Sequence, residues 1–286
     1  MPGLASIINK QSKSKNIGDA LIEAIQTSMK VNNPPSRSMR PNIKPSKLQC
    51  ERQTYYILIQ APSDPIRSTD PKLILMQKIG TFVHLLVQEA LAKASSQGVL
   101  FRTPEDVVKS AEEHGLNTHP VPSTHETINP YECHSYNEDY DISFMWDGSV
   151  YFREQKVLIE IKSEDHFKNI KRTAPDLEHI EQVTCYALSL GIDVAVFLYI
   201  DRNYLTMKAY RVEIDEVMKQ DVITKISRVK AAVETRTLPE KVICKACKYC
   251  DFTKACKAGL NRSREPQPEI QPEDKAEVES EVEPEA

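Results

Sequence analysis

The chain has 286 residues, of which 40% are hydrophobic and 27% are charged, as in a globular protein with room for a substantial core. No apolar run is long enough to cross a bilayer and no secretory leader is visible, so we expect a cytoplasmic or other intracellular protein that is neither secreted nor membrane-bound. Residues 262–286 hold nine acidic and three basic side chains, a net of −6, so the total of −4 leaves +2 on residues 1–261. A basic body suits a polyanionic ligand.

The two ends of the chain differ in composition from its middle. Residues 1–30 have the spacing of a weak amphipathic helix, and residues 32–45 are rich in Pro, Ser and Asn, which predicts a linker. We therefore expect a basic, Pro-rich, partly disordered arm over 1–45, one domain over 46–260 and an acidic disordered tail over 261–286. The tail is interpreted as a solubilising segment, with recruitment of a protein partner as the alternative.

The middle of the chain alternates between strand-like and helix-like patterns. Apolar residues recur at helical spacing from Lys72 to Leu91, a second helix is predicted to begin at Thr103, and residues 114–139 predict a loop. Strands are predicted at 142–146, 149–152, 157–162, 194–200 and 205–212, with helices over 175–190 and 213–234. Strands interleaved with helices predict an α/β or α+β domain.

The third of these strands carries an unusual pair of charges. Side chains alternate along a strand, so Glu160 and Lys162 share one face of an otherwise apolar segment. Asp147, in an Asp-Gly turn thirteen residues earlier, can return to the end of this strand, and Asp141 is a second candidate for that role. Two carboxylates brought together repel each other unless a divalent cation such as Mg²⁺ neutralises them. The alternative is a surface turn beside an edge strand with a solvated Glu/Lys pair.

These residues resemble the Asp-Gly … Glu-x-Lys core of the PD-(D/E)xK nuclease superfamily. The resemblance implies a restriction-endonuclease-like fold, with a mixed central β-sheet flanked by helices. It also implies that Asp147 and Glu160 bind Mg²⁺ or Mn²⁺, that the main-chain carbonyl of Ile161 is a further ligand, and that Lys162 assists the attacking water.

Two flanking motifs resemble the RecB-like branch of this superfamily. Gly80-x-x-x-His84 is similar to a helix whose histidine joins the metal site, and Gln182-x-x-x-Tyr186 is similar to the motif that follows the catalytic strand and faces DNA. Trp146 departs from the pattern, because it stands where the proline of the family name would be. Taken singly, the histidine also fits a helix core and the Gln/Tyr pair a polar helix stripe.

Clustered cysteines near the C-terminus favour a metal site over disulfides. Cys244-x2-Cys247-x2-Cys250-x5-Cys256 can hold a tetrahedral zinc by itself, or three of these cysteines can join a distant one around a 4Fe–4S cluster. The last three resemble the C-terminal triplet of RecB-like iron–sulfur nucleases, such as AddB and the CRISPR-associated exonucleases. The resemblance implies that Cys50, Cys247, Cys250 and Cys256 hold the cluster and that Cys244 is spare.

The resemblance implies a metal-dependent DNA exonuclease that hydrolyses phosphodiester bonds, with single-stranded ends as its substrate. The resemblance implies a role in DNA recombination, repair or CRISPR adaptation, and it includes phage-encoded enzymes. Trp146, Tyr151 and Tyr249 are candidates for stacking on bases. The alternatives are a catalytically inactive DNA-binding protein with a cysteine cluster, and a zinc-ribbon interaction module.

Overall fold

The computed structural model describes residues 17–31, 41–64, 70–102, 104–121, 131 and 133–261. Its α-helices are α1 (Ile17–Val31), α2 (Glu51–Leu58), α3 (Pro71–Ala92), α4 (Pro104–Glu113), α5 (His166–Lys171), α6 (Leu177–Leu190), α7 (Glu216–Glu234) and α8 (Thr253–Ala258). Its strands are β1 (Val99–Arg102), β2 (Thr118–Pro120), β3 (Cys133–Asn137), β4 (Ile142–Trp146), β5 (Ser149–Phe152), β6 (Gln155–Glu164), β7 (Val194–Asp201) and β8 (Met207–Glu213). Within these ranges, no helix is both long enough and apolar enough to cross a membrane.

The strands form two sheets. The larger sheet has the order β1-β5-β6-β7-β8, and the smaller one has the order β2-β3-β4. Strands β6 and β7 are parallel and are joined through α5 and α6, whereas the other pairs in the larger sheet are antiparallel. Helices pack on both faces of the larger sheet, which confirms the predicted mixed central sheet flanked by helices.

Successive side chains of β6 point to opposite faces of the sheet, and different helices pack on these two faces. Ile159 and Ile161 pack against Val83 and Val87 of α3, on one face of the sheet. Leu158 points the other way, into the core that contains Val183 of α6. Glu160 and Lys162 share the face of Leu158 by the same period of two, and they therefore lie on the side of α6.

Side-chain caps and one glycine fix the helices around this sheet. Asp70, Asp165 and Asp215 begin α3, α5 and α7, and each carboxylate accepts a hydrogen bond from a main-chain N–H in the first turn. Gly191 ends α6 in the left-handed region with a φ of 65°. The helices predicted over 72–91, 175–190 and 213–234 begin and end close to the bounds of α3, α6 and α7. Of the amphipathic helix predicted over 1–30, the described residues contain α1.

Two segments predicted as irregular contain regular structure or core residues. Residues 114–139 were predicted as a loop, but β2 and β3 lie within them and pair with each other. The predicted linker 32–45 includes Ile43, which is fully buried and forms a parallel bridge with Ile142. Residues 32–40 of that linker lie outside the described residues, as do residues 1–16 and the acidic segment from 262.

Candidate active site

The segment that carries Asp147 crosses between the two sheets. The Asp147-Gly148 dipeptide was predicted as a hairpin turn, but β4 before it belongs to the smaller sheet and β5 after it to the larger one. Gly148 has a φ of 130°, and a Cβ at this position would lie 2.7 Å from the ring of Phe101. Only glycine fits this crossing, because both the backbone conformation and the close ring exclude a side chain.

Asp147 is buried and held from two elements. Its Oδ2 accepts a 2.6 Å hydrogen bond from the main-chain N–H of Ile161 in β6, and its Oδ1 lies 3.0 Å from Nδ1 of His84 in α3. Gln88, one turn further along α3, donates from Nε2 to the main-chain carbonyl of Asp147 at 2.6 Å. The carboxylate is thus fixed at the edge of β6, where the sequence places it beside Glu160.

Glu160 and Lys162 form an ion pair in a largely buried setting. Glu160 is 2% exposed, and its Oε1 contacts Nζ of Lys162. The Lys162 side chain is 25% exposed, so its ammonium group is the part of the pair that solvent reaches. Nζ also donates to Oε1 of Gln182 in α6 at 3.4 Å, which confirms the predicted common face of these two charges.

Burial and mutual charge perturb the ionisable groups of this site. Burial raises the pKa of Glu160 to about 7, and the negative charge of Asp147 adds to this while the ammonium of Lys162 opposes it. Burial lowers the pKa of Lys162, but the charges of Glu160 and Asp147 outweigh it and the pKa lies above its usual value. Burial also lowers the pKa of His84, but the hydrogen bond and the charge of Asp147 have the larger effect, so the pKa of His84 is raised. Two buried carboxylates therefore share one site in which positive charge is favoured.

Gln182 and Tyr186 connect Lys162 to the strand that leads to Asp147. Gln182 donates from Nε2 to the Tyr186 hydroxyl at 2.5 Å, and that hydroxyl donates to the carbonyl of Met145 at 2.9 Å. Tyr186 is buried, so its ring packs inside the protein and is not presented to DNA as the resemblance implied. The pair instead forms a hydrogen-bonded support behind the lysine.

Asp141, the second candidate for the first carboxylate, is engaged elsewhere. It has a φ of 58°, and its Oδ1 accepts hydrogen bonds from Asn42 at 2.6 Å and from the Tyr136 hydroxyl at 2.9 Å. These bonds fasten the segment before α2 to the β3–β4 turn. Asp147 is therefore the carboxylate that contacts the strand of Glu160.

The fold brings Cys50 to the C-terminal cysteines. Burial raises the pKa of Cys50 to about 11, and the nearby thiols of Cys244, Cys250 and Cys247 raise it further. The sulfurs of Cys244 and Cys247 lie 3.9 Å apart. Cys250 and Cys256 pack at the edge of a core cluster that also contains Tyr55 and Tyr56 of α2.

Side chains of α2 also tie the two ends of the domain together directly. Arg52 donates to the carbonyl of Pro239 at 2.7 Å, and the Tyr56 hydroxyl donates to the carbonyl of Ala255 at 3.2 Å. Tyr55 is hydrogen-bonded to Asn261. The region before α3 and the end of the domain are therefore one structural unit.

Across the described part of the chain, no three His, Cys, Asp or Glu side chains form a group arranged to hold a metal ion. The donor chemistry nevertheless fits two different groups. The carboxylates of Asp147 and Glu160 with His84 suit a hard divalent cation, because each carboxylate disfavours the charge of the other and Lys162 and His84 offset this only in part. The thiols near Cys50 suit a soft metal or an iron–sulfur cluster.

Gln88 is a site residue that the sequence analysis missed, although it lies four residues after His84 on the same helix face. Replacing it by Leu removes the donor to the buried Asp147 carbonyl, so we expect the free energy of unfolding to fall by about 1–3 kcal/mol. Urea denaturation at 25 °C measures this. The exposed Gln77 on the same helix is the matched control, and Gln77→Leu should change stability by less than about 0.5 kcal/mol. Equal midpoints for Gln88→Leu and the parent protein would contradict the assigned role.

No family model and no curated protein matches the chain. Among solved structures, SSO0001 is 16% identical with a TM-score of 0.44, and the match covers 84% of this chain and 98% of that one. LHK-Exo in complex with dAMP is 17% identical with a TM-score of 0.44, covering 77% and 96% of the two chains. An alkaline exonuclease (LHK-Exo) from Laribacter hongkongensis is 19% identical with a TM-score of 0.39, covering 68% and 89%. These likenesses are loose, so the site is defined by the contacts of its own residues.

Proposed function

We propose that this protein is a metal-dependent DNA nuclease that hydrolyses phosphodiester bonds at the site formed by Asp147, Glu160 and Lys162. One observation carries the proposal. Asp147, which arrives from a different sheet, is hydrogen-bonded to the main chain of the strand that places Glu160 and Lys162 on one face. Buried carboxylates beside a lysine are costly for folding, and such cost is common where groups are arranged for chemistry.

His84, Asp147, Glu160 and the main-chain carbonyl of Ile161 would hold the divalent cation, Mg²⁺ or Mn²⁺. Strand β5 pairs with β6 only as far as Leu158, so no strand within the described ranges pairs with the edge of β6 at Ile161 on that side. The N–H and the carbonyl of one residue point to the same edge of a strand. Because the Ile161 N–H donates to Asp147, the Ile161 carbonyl also points toward the edge at which Asp147 lies. When bound, the cation polarises the phosphate and makes a bound water more acidic.

The chain's own residues supply the remaining functions. Lys162 stays protonated at neutral pH because its pKa is raised, and its partly exposed ammonium can orient the attacking water or stabilise negative charge on the phosphate. Gln182 holds this ammonium from α6, and Tyr186 fixes the orientation of Gln182 in turn. Residues that lock a reactive side chain in this way reduce the reorganisation needed during the reaction.

We propose further that the enzyme is an exonuclease on single-stranded DNA ends, used in recombination, repair or the processing of phage genomes. The order of the His84, Asp147/Glu160/Lys162 and Gln182/Tyr186 motifs supports this, as does the net positive charge of residues 1–261. The test uses end-labelled linear single-stranded and double-stranded DNA beside circular DNA, with Mg²⁺, Mn²⁺ or EDTA. Release of nucleotides from linear single strands alone, stopped by EDTA, is expected. No release from any DNA with either metal would overturn the proposal.

We propose that Cys50, Cys247, Cys250 and Cys256 hold a 4Fe–4S cluster, with zinc at Cys244, Cys247, Cys250 and Cys256 as the alternative. The proximity of Cys50 to Cys247 and Cys250 supports a ligand set that includes Cys50, because zinc held by the local set alone gives Cys50 no role. A cluster there would join α2 to the end of the domain, and a crosslink that closes a long loop restricts the unfolded chain most. Its role would be structural.

Two single substitutions separate these ligand sets. With anaerobically purified protein, Cys50→Ser is expected to lose most of the iron and acid-labile sulfide and to have a lower melting temperature. Cys244→Ser should keep its iron, its sulfide and the melting temperature of the parent protein. Iron and sulfide assays, visible absorption and thermal unfolding measure these outcomes. Colourless protein that contains one zinc, lost in Cys244→Ser and kept in Cys50→Ser, would exclude the iron–sulfur cluster.

A further inference from the structure

Large apolar side chains are exposed where β6 and β7 end. Phe167 of α5 is 72% exposed and Tyr204, in the turn between β7 and β8, is 68% exposed. Both contact the ring of His166, with centroid distances of 5.8 Å and 4.5 Å. We call His166, Phe167 and Tyr204 the aromatic platform. Ile170, Leu205 and Met207 on the same two segments are also exposed. Such a concentration of exposed apolar groups marks an interaction surface.

Hydrogen bonds join the two segments that carry the platform. Nδ1 of His166 lies 2.6 Å from Oδ2 of the fully buried Asp201, and the N–H of His166 donates to Oδ1 of Asn203 at 3.2 Å. Asp201 also accepts from the main-chain N–H groups of Asn203 and Tyr204 at 2.8 and 3.3 Å. These bonds fix the His166 ring and the main chain of the turn that carries Tyr204, and both aromatic rings lie beside that His166 ring.

The exposed charge beside the platform is mainly positive. Glu164 and Arg172 are both buried and paired with each other, and Asp201 is buried and paired with His166, so these three present little charge to solvent. The other charged side chains of the platform segments and the adjoining ends are Lys168, Lys171, Arg202 and Lys208 against Asp165 and Asp176. Lys168 pairs with Asp176 at 3.0 Å, whereas Lys171 is an exposed cation on α5.

We propose that the aromatic platform binds single-stranded nucleic acid, with bases stacked on Phe167 and Tyr204 and phosphates beside Lys171 and Arg202. Exposed aromatic rings among cations are the usual means of binding single strands without regard to sequence. A protein partner fits less well, because lysine is depleted at the cores of protein interfaces. The inference rests on the proposed nuclease function, since it names the path of the substrate strand.

The platform lies in line with the catalytic strand. Strand β6 carries Lys162, ends at Glu164 and leads directly into α5, which begins at His166. At a rise of about 3.3 Å per residue, Lys162 and His166 are at most about 13 Å apart along the chain. A DNA strand of a few nucleotides therefore reaches from the scissile phosphate to the platform.

Binding can be measured without cleavage. Fluorescence anisotropy with a labelled twelve-nucleotide oligothymidylate in EDTA is expected to give Kd values roughly 5- to 100-fold higher for Phe167→Ala and for Tyr204→Ala. Phe167→Tyr and Tyr204→Phe keep a stacking ring and should bind like the parent protein. Val217→Ala, which removes an exposed apolar side chain from α7, is the control and should leave Kd unchanged.

Each outcome decides one of the two proposals. Unchanged Kd in both alanine variants overturns the platform, as does a parent protein that binds no oligonucleotide. Size-exclusion chromatography with light scattering gives the oligomeric state of the same variants. If the Kd is unchanged and the variants lose a dimer or larger assembly that the parent protein forms, the nucleic-acid proposal is overturned and the surface is a protein contact. Weakened binding in a protein that cleaves no DNA with Mg²⁺ or Mn²⁺ supports the platform and overturns the nuclease.

Discussion

Glu160→Gln is expected to reduce DNA hydrolysis by about a thousandfold or more while the protein stays folded. The carboxamide has nearly the shape of the carboxylate but no negative charge, so the site loses one of its two anionic ligands for a divalent cation. Burial raises the pKa of Glu160, so the neutral carboxamide removes a charge that this position disfavours. Lys162 keeps its hydrogen bond to Gln182 and its contact with solvent, so we expect the protein to stay folded.

Single-turnover digestion of labelled DNA at saturating Mn²⁺, with circular dichroism and urea denaturation in EDTA, measures both parts of this prediction. Glu213→Gln is the matched control, because Glu213 is an exposed strand carboxylate paired with Arg211. It should keep full activity. Lys162→Met is expected to behave like Glu160→Gln in hydrolysis, since it removes the only cation that contacts Glu160 among the described residues. Normal digestion by Glu160→Gln would remove this residue from the catalytic centre.

Strand β6 could be predicted from the sequence because its signal is local. A run of apolar residues with Glu160 and Lys162 two positions apart allows only one arrangement on a strand, in which both charges share a face. The structure confirms that arrangement through their ion pair. The positions of α3 and α7 were predictable for the same reason, since their apolar period and their caps at Asp70 and Asp215 are local features, whereas the short helices α2, α5 and α8 were not predicted.

The connection through Asp147-Gly148 could not be predicted, because an Asp-Gly dipeptide has the same local signal whether the chain turns back or enters another sheet. The path of the chain at Asp147-Gly148 depends on the Phe101 ring, which lies against Gly148, and on the hydrogen bond from Gln88 to the Asp147 carbonyl. Both residues are distant from this dipeptide in the sequence. The base-stacking interpretation of Trp146 was wrong for a similar reason. Its ring is buried and its indole N–H donates to Ser135 at 3.2 Å.

Strand β3 was missed because its sequence is polar and shows no apolar alternation. Its buried side chains are hydrogen-bonded rather than hydrophobic, as Asn137 donates to Thr118 at 3.0 Å and Ser135 accepts from Trp146. A polar strand of this kind is stabilised by pairing with β2 and β4. The aromatic platform could not be predicted from local sequence either, because Phe167 and Tyr204 are brought to the same His166 ring only by the parallel pairing of β6 and β7.

Arg172→Met is expected to lower the free energy of unfolding by about 3–5 kcal/mol. Arg172 and Glu164 are both buried, and the guanidinium donates to both carboxylate oxygens at 2.8 and 2.7 Å. The same guanidinium stacks on Tyr199 at 3.7 Å and donates to the carbonyl of Ala174 at 2.8 Å. Methionine fills part of this space but leaves Glu164 as a buried charge without its main partner.

Glu164→Gln in the Arg172→Met background is expected to recover at least half of the lost stability, because no unpaired buried charge remains. Arg211→Met, at an exposed pair with Glu213, is the control and should cost less than about 1 kcal/mol. Urea denaturation of all four proteins gives the values. A double variant as unstable as Arg172→Met alone would show that packing on Tyr199, and not the pairing of Glu164, gives Arg172 its effect. Because Glu164 is the last residue of β6 and Arg172 follows the last residue of α5, their pairing also joins these two elements.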